Sequence, residues 1–252
     1  MFEAWEPSTT YTSLHGALPP SPFFWHSLTL LESGPLSLLL RDMCHLGDLF
    51  LSHATRPRTA LDAEYNAHAT NIVRRLGSLP SAFASEHPMT ADWMYETCRI
   101  AAIIYAGAIF QRISFSEAAN PLQNAIYKQF LQQSGHEPPA QLYLSVLLFE
   151  ALQLADSVDT WEKFPDVLYW VCAVGAMSAR TRRTRAQTEE EEEEEEAEEA
   201  RYGGERHITL IHRCFNMHAT RSLPVVVFGE AKLVGAALKK LLVLQRLVQL
   251  PG

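Results

Sequence analysis

Three observations predict an all-α protein, an irregular array of roughly seven to nine helices. Apolar residues recur at spacings of three and four over most of the chain, no useful period-2 stretch occurs, and Pro, Asn and Gly fall where helices start and stop. At 252 residues the chain has room for one large domain or two small ones.

Residues 1–35 hold five prolines together with Phe23, Phe24 and Trp25, and read as an irregular arm over the domain; residues 36–252 read as the helical domain itself. From Pro35 onward, Leu36, Leu39, Leu40, Met43, Leu46, Leu49 and Phe50 share one helix face, and Arg41, Asp42, His45 and Asp48 mostly fall elsewhere. A second amphipathic segment runs from about Arg58 to Leu76 and is ended by Gly77 and Pro80. Thr90 is the expected N-cap of a long helix from Ala91 to about Ile113, with Asp92 complementing its dipole. After Arg99 that helix is nearly all apolar, so both sides should be covered. Asn120 and Pro121 start the next helix and Gly135 stops it. Another begins at Pro138-Pro139 and reaches about Asp156. Pro165 opens a helix with a broad apolar surface of Val167, Leu168, Trp170, Val171, Val174 and Met177, ending among Ala179 and Arg180. Ile208 to His218 is helix-like, Pro224 to Phe228 reads as an extended connector because a lone strand has no partner, and Gly229 to Leu250 again repeats apolar residues at helical spacing.

The formal charge of -8 comes from one segment. Glu189 to Glu199 holds ten glutamates, and without them 19 acids face 21 basic residues. The positive charges form no stripe of the kind a phosphate backbone demands, so direct nucleic-acid contact is not expected. Cys44, Cys98, Cys172 and Cys214 are far apart in apolar settings and read as free thiols in a reducing compartment. The N-terminal MFEAWEPSTTYTS lacks a basic region ahead of an apolar stretch, so no secretory signal is expected. The longest apolar runs, Ile100 to Phe110 and Val167 to Met177, fall short of the roughly 20 residues that span a bilayer.

Motifs of chemistry are scarce. No nucleophile elbow, phosphate loop or dinucleotide fingerprint occurs, and no catalytic residue, cofactor or metal is assigned. In the nearest approach to a metal cluster, His207, His212, Cys214 and His218, only Cys214 and His218 share a helix face, which favours a buried thiol with exposed imidazoles. Glu150, Asp156, Asp159 and Glu162 gather around a helix end, where acids serve as polar linkers and first-turn charges rather than an acid–base pair.

The helix order carries more. YETCRIAAIIYAGAIF (Tyr95 to Phe110), the helix after Asn120, and WEKFPDVLYWVCAVGAMSAR (Trp161 to Arg180) together resemble the C-terminal regulatory domain of fungal zinc-cluster transcription factors. The matching positions are Cys98, Arg99, Ala101, Ala102, Ile104 and Tyr105, then Phe164, Pro165, Leu168, Trp170, Val171, Gly175, Ala176 and Arg180. The resemblance covers about Leu36 to Leu250 and is one of apolar pattern more than of polar signature. It implies a nuclear, helical, non-enzymatic domain that binds protein partners of the transcription machinery or a small effector. Outside that resemblance the chain reads as cytoplasmic. The family's DNA-binding module needs six cysteines in two close groups, and this sequence has four, far apart. Trp93, Tyr105, Trp170 and Gly175 are the candidate lining of an effector pocket, with core packing the competing role for each. The alternatives are a helical protein-interaction scaffold and an all-α enzyme of an unrecognised family.

The charged run at 181–206 falls where that family joins two helices by a loop, so it reads as a low-complexity, disordered insertion. Arg180, Arg182, Arg183 and Arg185 form a candidate nuclear-import patch, and the glutamates offer an acidic surface to a coactivator or histone.

Overall fold

The computed structural model describes residues 34–54, 61–83, 89–134, 143–155, 161–179, 207–222 and 243. Residues 1–33 of the N-terminal arm, the Pro138-Pro139 helix start, the charged run, the Pro224 to Phe228 connector and all of Gly229 to Leu250 but Val243 lie outside them. Among the described residues every regular element is an α-helix: α1 (Pro35–Ala54), α2 (Leu61–Ser78), α3 (Trp93–Gln111), α4 (Phe115–Ala118), α5 (Ala125–Ser134), α6 (Leu144–Ala155), α7 (Pro165–Ser178) and α8 (207–222). No described helix is long and apolar enough to cross a membrane.

The fold is organised around α3, which packs against α1, α2, α4, α5, α6 and α7. Every residue from Tyr95 to Ile109 is buried. A helix apolar on all sides can only be placed this way, since each uncovered side chain forfeits roughly 25 cal/mol per Å² of apolar surface left in water. Around it α1 turns in Leu39, Leu40, Met43, Leu46 and Phe50, as its sequence period predicts, and α2 contributes Ala69, Ile72, Val73 and Leu76. Asp42 departs from the expected pattern. It is buried on the core side of α1, where its carboxylate accepts both Nε (3.1 Å) and Nη2 (2.6 Å) of Arg75 on α2.

Two helix starts lie downstream of their predicted positions. The chain reverses at Ala91, whose φ of 62° is left-handed, and its N–H reaches the carbonyl of Ala82. Helical geometry therefore begins only after Asp92, which replaces Thr90 as the cap by accepting from the Tyr95 N–H at 3.0 Å. Likewise Asn120 and Pro121 shape a turn, with Asn120 Oδ1 accepting from the Leu122 N–H, and α5 starts after Asn124 instead.

Asn124 decides that second start. Its side chain is fully buried, and its Nδ2 donates to the carbonyls of Ile103 on α3 (3.2 Å) and Ala118 on α4 (2.7 Å). Its Oδ1 accepts from the N–H groups of Ile126 and Tyr127 in the first turn of α5. All four hydrogen-bonding positions of the amide are used, and three helices are tied to one side chain. Gly107 makes room for it, because a Cβ there would sit 2.5 Å from Asn124 Nδ2.

Between α3 and α5, α4 is held by a capping box in which Ser114 Oγ accepts from the Glu117 N–H while Glu117 returns a carboxylate to the Ser114 N–H. The Leu144 N–H then donates to the Ala119 carbonyl at 2.8 Å, fixing the start of α6 against the end of α4. Pro165 opens α7 as expected, and Ala179 closes it.

Candidate functional site

The aromatic seam where α7 meets α3 holds the residues singled out from the sequence. Tyr105 and Trp170 are both buried and meet edge to face, with ring centroids 5.8 Å apart. Phe115 flanks Tyr105 at 6.3 Å. Burial, helped by the charges of Cys44 and Asp48, pushes the Tyr105 hydroxyl well above its ordinary titration range, so it stays neutral.

Gly175 lies on α7 about a turn and a half beyond Trp170 and serves a neighbour instead of an open space. A Cβ there would fall 2.6 Å from the ring of Phe215 on α8, which is fully buried and in turn meets Phe149 of α6 at 5.8 Å. Trp93 is elsewhere. It lies twelve residues before Tyr105 on the same helix, about 18 Å along the axis, and packs on Phe83 at 5.0 Å. The four residues therefore do not converge: Tyr105, Trp170 and Gly175 belong to the packed seam, and Trp93 belongs to the far end of α3.

Near that far end is a charged cluster built on Arg99, one of the matching positions of the resemblance, and on Glu96. Glu96 and Arg99 are 1% and 2% exposed. Arg99 donates through Nε to Glu96 Oε2 (2.9 Å) and through Nη2 to Oε1 (2.7 Å). The same carboxylate accepts the Ser81 hydroxyl (2.8 Å) and the Ala82 N–H (2.9 Å), so its four acceptor positions are filled. The Tyr95 hydroxyl donates to the Pro80 carbonyl, and the Phe130 ring lies 4.7 Å from the guanidinium carbon. Among the described residues Arg99 Nη1 finds no hydrogen-bond partner.

Burial alone would raise the Glu96 carboxyl, but the hydrogen bonds and charge of Arg99, with those of Ala82 and Ser81, hold it below the usual carboxylate range. Burial likewise disfavours the Arg99 charge, and Glu96 more than reverses the effect. Both groups are thus ionised and paired, with the carboxylate's remaining acceptor positions taken by Ser81 and Ala82, which suits a clasp between α3 and the 80–82 turn. A sequence signal existed: a Glu and an Arg at i, i+3 inside an otherwise apolar helix must be buried together.

The remaining candidates separate. Among the described residues no group of three or more His, Cys, Asp or Glu side chains could hold a metal ion. His207 is exposed at the start of α8, and His212 shares a hydrogen bond with Asn216 on the outer side of that helix. Glu150 and Glu162 are exposed, while Asp156 and Asp159 lie outside the described residues, as do Arg180, Arg182, Arg183 and Arg185. Cys98 is fully buried, and burial pushes its thiol far up, which removes it as a nucleophile. Comparison of the chain with protein-family models, curated proteins and solved structures finds no match.

Proposed function

We propose that this chain is a transcription-regulatory domain of the fungal zinc-cluster kind, nuclear and non-enzymatic. In this reading it binds protein partners of the transcription machinery or a small effector, and modulates a DNA-binding module whose six-cysteine pattern does not occur in these 252 residues. One observation supports the reading above others. The first and last of the three segments that carry the resemblance hold Tyr105 and Trp170, some sixty residues apart in sequence, and these two aromatics meet in one buried seam.

The test is a fusion of the full chain to a heterologous DNA-binding domain, read on a reporter carrying the matching operator. The expected result is a reporter level different from that of the DNA-binding domain alone, and loss of the difference in Trp170→Ala, which opens the seam. An unchanged reporter, with the fusion present in the nucleus at matched amounts, would overturn the proposal.

A further inference from the structure

Helix α8 is anchored by one face and offers another. Ile211 and Phe215 are buried, and Phe215 fills the space left by Gly175. On the neighbouring flank, Leu210 and Met217 stand 56% and 51% exposed, seven residues apart and so nearly eclipsed along the axis. Cys214 lies between them, Arg221 continues the same line, and Arg213 borders it; both arginines are exposed. The stripe from Leu210 to Arg221 is about 16 Å long. From His207 to Ser222 the sequence has no acidic residue, so nothing on the helix neutralises the two guanidinium groups.

Two apolar anchors at i, i+7 flanked by cations form a helix surface complementary to a segment that alternates apolar and acidic residues. Its apolar side chains cover Leu210 and Met217 while its carboxylates meet Arg213 and Arg221, which sets both register and orientation. We infer that this flank of α8 is a docking surface for an acidic amphipathic segment of a partner protein. The inference deepens the partner-binding part of the proposed function and rests on it. A two-fold contact with a second copy would set the same basic flank against itself, and the chain's own Glu189 to Glu199 run, though acidic, has only Ala197 to set against Leu210 and Met217, which favours a partner segment that is both acidic and apolar.

The test uses the full chain and a fluorescent synthetic peptide about 12 residues long, with Leu or Phe at helical spacing and Asp or Glu elsewhere, and a control in which Lys replaces the acids. Saturable binding of the acidic peptide is expected, weakened by salt and reduced about tenfold or more in both Arg213→Glu/Arg221→Glu and Leu210→Ser/Met217→Ser. These positions are exposed, so circular dichroism should be unchanged. In the unmodified chain the peptide should also slow maleimide modification of Cys214, leaving the partly buried Cys44 as the internal reference. Equal binding of the Lys peptide, affinity unaltered in both double variants, or sedimentation showing a dimer that Leu210→Ser/Met217→Ser dissolves would each overturn the inference. Because the readout is binding in solution, a negative result here leaves the reporter test of the proposed function standing on its own.

Discussion

Replacing Arg99 with Met should expose how the α3 clasp works. Arg99 provides two of the four hydrogen bonds accepted by Glu96, at 2.9 and 2.7 Å, and is the charge that balances it. The variant leaves a carboxylate that is 1% exposed with only the Ser81 hydroxyl and the Ala82 N–H. Removing one partner of a buried pair costs about 3–5 kcal/mol, which for a chain of this size lowers Tm by roughly 6–20 °C. Urea denaturation at pH 7 measures it. Glu96→Gln/Arg99→Met removes both charges and keeps an amide facing Ser81 and Ala82, so the double variant should lose less than Arg99→Met alone. Acid pH supplies an independent check. In the native chain Glu96 is held below its unfolded value, so its contribution is present above about pH 4.5 and is lost as pH falls through the lower folded value. In Arg99→Met burial is opposed only by the Ser81 and Ala82 hydrogen bonds, so the carboxyl should rise and the variant's stability relative to the native chain should improve as pH falls through the same range. A loss under about 1 kcal/mol, a double variant as damaged as the sum of its singles, or parallel pH profiles would refute the reasoning.

The other predictions concern packing. Asn124→Ala removes four buried hydrogen bonds that tie α3 and α4 to the first turn of α5, and should cost about 2–4 kcal/mol by chemical denaturation, with faster amide exchange at Ile126 and Tyr127. Gly175→Ala drives a methyl against the Phe215 ring and should cost about 1–3 kcal/mol; adding Phe215→Leu should return part of that, and no recovery would mean that the ring is not the obstacle. Arg75→Ala should cost about 1–3 kcal/mol, less than Arg99→Met, because it leaves Asp42 buried but the Arg75 side chain is 26% exposed, so water can take over part of its role.

The legible part of this protein was its helices and the identity of its centre. The stripe Leu39, Leu40, Met43, Leu46 and Phe50 and the unbroken apolar run after Arg99 are local patterns, and a run without a polar side can only be covered all round. Pro165 opens a helix as expected, since its fixed φ suits the first turn and the amide it lacks would have had no partner there. A proline is not sufficient, though: Pro121 stands in a turn and its helix starts only after Asn124, and the start expected after Thr90 is displaced as well. Thr90 and Asn120 satisfy the capping rule as well as Asp92 and Asn124 do, and nothing within a few residues chooses between them.

The choice was tertiary. Asn124 caps α5 because the carbonyls of Ile103 and Ala118 arrive at its amide, and Asp92 caps α3 because the chain reverses at Ala91 to meet Ala82. The same holds for the candidate site. Tyr105 and Trp170 were visible as aromatics, but that they touch, that Trp93 is far from both, and that Gly175 exists for Phe215 depend on which helices lie side by side. Periodicity and capping propensity act over one or two turns and are written in adjacent residues. A buried polar group, a glycine and a ring find their partners only when distant segments close on one another, because the energy that selects them lies in contacts between residues far apart in sequence.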